Sequence, residues 1–252
     1  MLARLLSPRT IVARDDTGVR RLEGLPEEVR VLHGELPEHL DLVENGLHFR
    51  ADAGGGQKTG WFYDQRDNRA FAARFAGGQD VLDVYSYCGG FALTAASRGA
   101  RSVTAVDGSA AALAQAESSA ALQKVTERTK FVRADAFEFL QAQAAEKRRY
   151  GLVIADPPAF VKARKDLKPG LKGYEKLAML AAGVTAEPGY LCLGCCSYHV
   201  GLDDYRAATW AGIRAAGRGG RLLLTAGAGP DHPVHPALPE TAYLKFLVYA
   251  LD

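Results

Sequence analysis

The run Asp80-Val81-Leu82-Asp83-Val84-Tyr85-Ser86-Tyr87-Cys88-Gly89-Gly90-Phe91 decides the fold. An aliphatic strand (80–85) ends in a glycine turn, and FALTAASRG (91–99) follows as a helix closed by Gly99. Working outward, SVTAVD (102–107), TKFVRAD (129–135), YGLVIADPP (150–158), GYLCLGCCS (189–197), RLLLTAG (221–227) and YLKFLVYAL (243–251) read as further strands. Helical stretches lie between them at 110–124, 136–147, near 173–186 and at 202–217, with Ser109 and Asp135 as caps. Apolar strands that alternate with helices are buried on both faces. The expectation is an α/β fold, a mainly parallel seven-stranded sheet with helices on both faces.

Upstream the pattern changes. VRVLHG (29–34) and HLDLVE (39–44) are short β-type runs, and Asn45-Gly46 separates the second from LHFRAD (47–52). Asn-Gly suits a tight hairpin, because both turn residues need positive φ. Residues 1–52 therefore read as one small antiparallel unit, with Gly54-Gly55-Gly56 as a flexible junction. The division drawn is a β-rich domain over 1–56 and a second domain over 57–252. DQRDNRAFAARFAGG (64–78) has a helical pattern with a Gly-Gly stop.

At 252 residues, with 48% hydrophobic and 24% charged residues, the chain has ordinary globular usage, which argues against disorder or coiled coil. The 31 Lys and Arg against 29 Asp and Glu leave a net charge of +2, so a polyanionic partner must be met by a local patch. No run of about 18 apolar residues exists to span a membrane. MLARLLSPRT (1–10) has no apolar core with a cleavage site, so a cytoplasmic protein is expected, monomeric or homodimeric. The four cysteines, at 88, 192, 195 and 196, read as reduced thiols.

Ligands of such sheets lie outside the carboxyl ends of the strands. The first strand end carries Ser86, Tyr87 and Gly89, without the G-x-G-x-x-G of a pyrophosphate site, which disfavours a nicotinamide oxidoreductase. The second ends in Asp107-Gly108-Ser109, about twenty residues on, where a carboxylate can accept both ribose hydroxyls of an adenosine. The third ends in Asp135-Ala136-Phe137, where an acid can take an adenine amino group and an apolar neighbour can face the ring. Singly, each acid reads as a helix cap. Together they favour a nucleoside cofactor without pyrophosphate, S-adenosylmethionine.

The fourth strand ends in Asp156-Pro157-Pro158-Ala159-Phe160, a rigid extended bend. The turn resembles the base-holding loop of nucleic-acid methyltransferases. The fifth ends in Cys195-Cys196-Ser197-Tyr198-His199. Strand alternation puts Cys192 and Cys195 on opposite faces, which argues against half a metal site, and no metal is expected. Cys196, nearest the terminus, is placed to attack C6 of a pyrimidine as thiolate, with Asp156 holding N3.

Two longer segments carry a resemblance. Gln57-Lys58-Thr59-Gly60-Trp61-Phe62-Tyr63-Asp64-Gln65-Arg66-Asp67-Asn68-Arg69 and Asp231-His232-Pro233-Val234-His235-Pro236, with Tyr243-Leu244-Lys245, are similar to the opening and closing signatures of the large-subunit (23S) ribosomal RNA cytosine-5 methyltransferases. The resemblance implies a Rossmann-like class I methyltransferase domain behind a small antiparallel β-rich domain. It also implies that Lys58, Thr59, Gly60, Tyr63 and Arg66 line the cofactor site with Ser86, Tyr87, Gly89, Asp107, Asp135, Asp156 and Pro157. Such proteins usually begin with a PUA-type RNA-binding domain, which is not expected here. Lys162, Arg164, Lys165, Lys168 and Lys172 follow the Asp-Pro-Pro turn as a basic loop suited to phosphates. His232 and His235 sit in a proline-rich loop.

The reading is an S-adenosylmethionine-dependent methyltransferase acting on a pyrimidine C5, a cytosine, in ribosomal or other structured RNA. Cys196 is the nucleophile and Asp156 the base-positioning acid. Transfer to a base nitrogen or another acceptor is the alternative within the class. A catalytically silent protein that binds S-adenosylmethionine or RNA is the alternative outside it.

Overall fold

The structure is a computed structural model and describes residues 2–16, 20–21, 23–52 and 60–252. The glycine junction, the boundary drawn at residue 56, and Lys58 and Thr59 lie outside the described residues.

The upstream region forms two antiparallel pairs. A short helix α1 (Leu2–Leu6) precedes β1 (Ile11–Arg14), which pairs with β2 (Val29–His33). β3 (His39–Glu44) pairs with β4 (Leu47–Asp52). Asn45 and Gly46 both have positive φ, 52° and 78°, as the hairpin reading requires. The physical difference between the pairs is burial. β2 is exposed along its whole length, whereas β4 buries Phe49 and Ala51 in the main core.

The large sheet contains β5 (Asp80–Val84), β6 (Ser102–Asp107), β7 (Thr129–Arg133), β8 (Tyr150–Ala155), β9 (Thr185–Cys195), β10 (Gly220–Ala226) and β11 (Lys245–Leu251). Its order is β10-β11-β9-β8-β5-β6-β7. β11 runs antiparallel to both its neighbours, and the other adjacent pairs are parallel. Strand order turns back at β5, which is flanked by β6 and β8, so a crevice opens at the carboxyl ends of β5 and β8.

The helices are α2 (Arg66–Ala72), α3 (Gly90–Ser97), α4 (Ala110–Leu122), α5 (Ala136–Ala145), α6 (Leu167–Val184) and α7 (Leu202–Ala215). Ser109 accepts the Ala112 N–H and caps α4, and Asp135 accepts from Phe137 and Glu138 and caps α5. Successive strand residues feed two cores, one on each sheet face. Val81 and Leu152 join Phe49 and the α3 alanines, while Leu82 and Val153 join Tyr174 and Leu177 of α6. No helix among the described residues is long and apolar enough to cross a membrane.

One expectation needs correction here. α6 begins at Leu167, not near 173, so Lys168 and Lys172 stand on a helix and only 161–166 remain outside it. Pro169 lies in the first turn, where its missing N–H costs no intrahelical bond, and it does not stop the helix.

The β3–β4 hairpin is tied to the core by charge. Glu44 and Arg69 form a bidentate pair at 2.6 and 2.7 Å with side chains only 1% and 5% exposed. Trp61 Nε1 donates to Glu44 at 2.9 Å, and Arg69 donates to the Phe62 carbonyl at 2.6 Å. Removing one partner leaves a buried charge uncompensated. Arg69→Met is expected to lower unfolding free energy by about 3–5 kcal/mol, read as a reduced urea midpoint at unchanged slope.

Candidate functional site

The cleft at the ends of β5 and β8 encloses about 1020 Å³ of empty volume, including space open to solvent. Its floor is the turn after β5. Tyr85, Tyr87 and Gly89 there all have positive φ, at 62°, 49° and 78°. For two tyrosines this is uncommon backbone, held by surrounding bonds. Asp107 provides two of those bonds, since its Oδ2 accepts the Tyr87 N–H at 2.9 Å and its Oδ1 accepts the Ser109 N–H at 2.8 Å. Each oxygen keeps further acceptor capacity for a pair of hydroxyls. At Gly89 the positive φ favours glycine, and a Cβ there would also meet Ala116 Cβ tightly, at 3.0 Å.

The opposite wall is Asp156-Pro157-Pro158. Gly170 and Gly173 let α6 press against the bend, because a Cβ at Gly170 would lie 2.3 Å from Val161 and one at Gly173 3.0 Å from Phe160. Asp156 Oδ2 accepts the Gln65 Nε2–H at 2.8 Å. Gln65 in turn accepts from Asn68 at 2.6 Å, and Asn68 also reaches the Gly227 carbonyl. Gly194 leaves room for the acid, since a Cβ there would sit 2.1 Å from Asp156 Oδ1.

The cysteines separate by burial. Cys192 packs on one sheet face and Cys195 on the other, as alternation requires, and burial pushes both thiols up. Cys88 is also buried, whereas Cys196 is half-buried and lines the cleft with Asp156. Its thiol donates to the Pro157 carbonyl at 3.8 Å.

Ser86, Tyr87, Asp107, Asp156, Pro157 and Cys196 are thus brought together. Gly60 touches the group through its carbonyl, which accepts the Tyr87 hydroxyl at 3.2 Å. Gly89 belongs to the turn, but Gly90 rather than Gly89 is in the lining. Gly108, Ser109, Asp135, Ala136 and Phe137 do not line the cleft. Asp135 is exposed, and one of its oxygens accepts both helix N–H bonds. Phe137 faces Phe160 at 6.2 Å.

Tyr63 and Arg66 are not in the lining either. Tyr63 is exposed, and Arg66 pairs with Asp231 at 2.8 Å. Asp64, Gln65 and Arg69 line the cleft in their place. The helical turn that begins at Tyr63 puts 64, 65, 68 and 69 on the buried side and leaves 63 and 67 exposed. That phase was the available signal. His232 and His235 bond within their own loop, to Asp231 and the Ala237 N–H.

Tyr243 donates to Asp64 Oδ2 at 2.6 Å, and burial, then this bond, pushes its hydroxyl up. Asp64 Oδ1, Ser86 Oγ and Asp83 Oδ1 are buried polar atoms without a partner among the described residues. Asp64 and Ser86 line the cleft, so unmet polar capacity sits where a polar ligand would lie. These residues fit a nucleoside carrying vicinal hydroxyls and a charged amino-acid end.

Sheet order, glycine turn and strand-end carboxylates define the class I methyltransferase fold, which is doubly wound and Rossmann-like. The family model of S-adenosylmethionine-dependent methyltransferases matches residues 24–187, and the chain belongs to that family. The chain is 35% identical over 239 residues to the ribosomal RNA large subunit methyltransferase I of Pseudoalteromonas atlantica, covering 94% of this chain and 60% of that protein. It is 38% identical over 225 residues to the ribosomal RNA large subunit methyltransferase of Deinococcus radiodurans, covering 88% and 55%. The chain therefore spans about 60% of the length of such relatives. A structure described as a SAM-dependent methyltransferase from Streptococcus mutans superposes with TM-score 0.78 at 24% identity, over 88% of this chain and 58% of that one. A SAM-dependent methyltransferase from Agrobacterium tumefaciens gives 0.68 at 18%, over 89% and 74%. These two are likenesses of fold.

Asp83, behind the turn, accepts the Ala92 N–H at 2.9 Å. Burial raises its pKa well above the ordinary carboxylate range, against that bond, and Asp156 and Asp107 add to the rise. Such a group binds its proton more tightly folded than unfolded, so stability falls as pH rises from the ordinary carboxylate range toward the native value. Asp83→Asn is expected to flatten that decline, as measured by urea unfolding at a series of pH values from the ordinary carboxylate range upward.

Proposed function

We propose that the chain transfers a methyl group from S-adenosylmethionine to C5 of a cytosine in large-subunit ribosomal RNA or another structured RNA, with Cys196 as nucleophile. The observation that carries this reading is the placement of the half-buried Cys196 thiol in one cleft with Asp156. The names of the curated relatives supply the RNA class.

S-adenosylmethionine supplies an electrophilic methyl group on its sulfonium. Asp107 holds the ribose hydroxyls, and Ser86, Tyr87 and Gly60 shape the turn beneath. Lys58 and Thr59 complete the opening segment. Asp135, Ala136 and Phe137 follow β7 outside the cleft lining, and the adenine end of the cofactor would extend toward them.

The target base must leave its stack to enter the cleft. Asp156, oriented by Gln65, shares a proton with N3 of the ring. Cys196, as thiolate, forms a bond to C6, and the displaced electron pair makes C5 nucleophilic. C5 takes the methyl, and the thioether leaves with the sulfonium's electron pair. Loss of the C5 proton to a base then restores the double bond and expels the Cys196 thiolate. Lys162, Arg164, Lys165, Lys168 and Lys172, all exposed beyond the bend, track phosphates by charge. The same reading takes 57–252 as the catalytic domain and 1–56 as a β-rich domain.

Label transfer from S-adenosylmethionine to ribosomal RNA, with nucleoside mass spectrometry, tests it. Cys196→Ala is expected to abolish methylation at C5, and Asp156→Asn to slow it about a hundredfold. Methyl found on a ring nitrogen, with Cys196→Ala fully active, sinks the C5 reading.

A further inference from the structure

The reversed strand β11 enters the sheet at Lys245, which stands opposite Cys195 in register. Its side chain is buried, although Lys is rarely so placed without compensation. Nζ donates to the Ser197 carbonyl at 2.8 Å and to the Tyr243 carbonyl at 3.0 Å. Ser197 directly follows Cys196, so the first bond fixes the peptide that carries the proposed nucleophile. Both acceptors are neutral carbonyls, and no carboxylate among the described residues forms a salt bridge with Lys245. Burial pulls the Lys245 pKa down, and the Cys195 and Cys196 thiols act in the opposite direction.

Several groups other than Lys245 stand around Cys196. Asp156 shares the cleft with it, and the Pro157 carbonyl accepts its S–H. Tyr243, itself coupled to Cys196, donates its hydroxyl to Asp64. Cys195 on the same strand is a neutral buried thiol whose ionisation burial opposes. The buried ammonium reaches this strand end from β11 and binds the carbonyl of Ser197, the residue after Cys196.

We propose that Lys245 is a positioning residue for Cys196: anchored to the Ser197 and Tyr243 carbonyls, its ammonium holds the strand end in place and favours the ionised thiol. The inference rests on reading Cys196 as the nucleophile. Lys245 touches no reacting atom and acts through the thiol.

Lys245→Met keeps the side-chain length and removes the charge. The pH profile of Cys196 alkylation by iodoacetamide, followed by peptide mass spectrometry, reads the thiol directly. Cys88, Cys192 and Cys195 are buried, and their protection reports an intact fold. Loss of a neighbouring cation is expected to move the Cys196 profile up by about one pH unit, so that alkylation at neutral pH slows about tenfold. An unchanged profile in folded Lys245→Met overturns the proposal.

A second measurement covers a variant that fails to fold. Coupling is reciprocal, so in Cys196→Ser the Lys245 13Cε resonance should titrate at lower pH than in the wild type. Identical titrations overturn the proposal. Neither measurement reads methyl transfer, so a failure of the C5 chemistry and a failure of this pairing are separate results.

Discussion

The buried pair between Glu44 and Arg69 constrains everything around the cleft. Two charges removed from water are costly, and their attraction offsets that cost only when the remaining hydrogen-bonding capacity is also met. Here Trp61 completes Glu44 and the Phe62 carbonyl completes Arg69. The guanidinium also lies over the Trp61 ring at 4.7 Å. Three chain segments are therefore locked to one another: the hairpin end, the stretch through Trp61 and Phe62, and α2. Gly90 belongs to the same arrangement, because a Cβ there would come within 2.9 Å of Arg69 Cδ. The glycine that opens α3 thus accommodates an arginine from a distant part of the chain as well as shaping its own turn.

With that wall in place, the two carboxylates of the cleft are held in different ways. Asp107 is fixed by backbone N–H groups from its own turn and from the strained turn after β5. Asp156 is fixed by a side chain, Gln65, whose amide is held in turn by Asn68. Backbone donors leave Asp107 acceptor-rich and suited to hydroxyls. A glutamine beside the Asp-Pro-Pro bend ties Asp156 into the cleft that Cys196 also lines. The proposed division of labour, cofactor at one acid and base at the other, follows from these partners and not from residue type.

Much of the architecture was legible because the relevant forces are local. The β5 and β6 runs, the Ser109 and Asp135 caps and the Asn45-Gly46 turn are set by propensity, periodicity and short-range hydrogen bonds, and they appear where the sequence places them. Two boundaries were hidden. β9 starts at Thr185, ahead of the apolar run at 189, and α6 starts at Leu167 within a Lys-rich stretch. Packing of Gly170 and Gly173 against the bend stabilises helix where charge density suggested loop. In the site, Ser86, Tyr87, Asp107, Asp156 and Cys196 were readable as strand ends. Gln65, Asp64 and Arg69 were not, because the resemblance pointed to Tyr63 and Arg66, which the phase of the same turn leaves outside the cleft lining.

The sequence by itself determined the alternation of strands and helices, the crevice at their carboxyl ends and the acids and thiol placed there, since these follow from periods of two and 3.6 residues and from caps within a few residues. Tertiary structure alone decided which face of the 63–69 turn meets the cleft, which acid is left for a ligand, and that Lys245 reaches the strand end of Cys196. Those outcomes depend on contacts between residues tens to more than a hundred positions apart, such as Tyr243 with Asp64 and Gln65 with Asp156. Local pattern does not encode which distant polar groups will meet when a buried charge must find its partner.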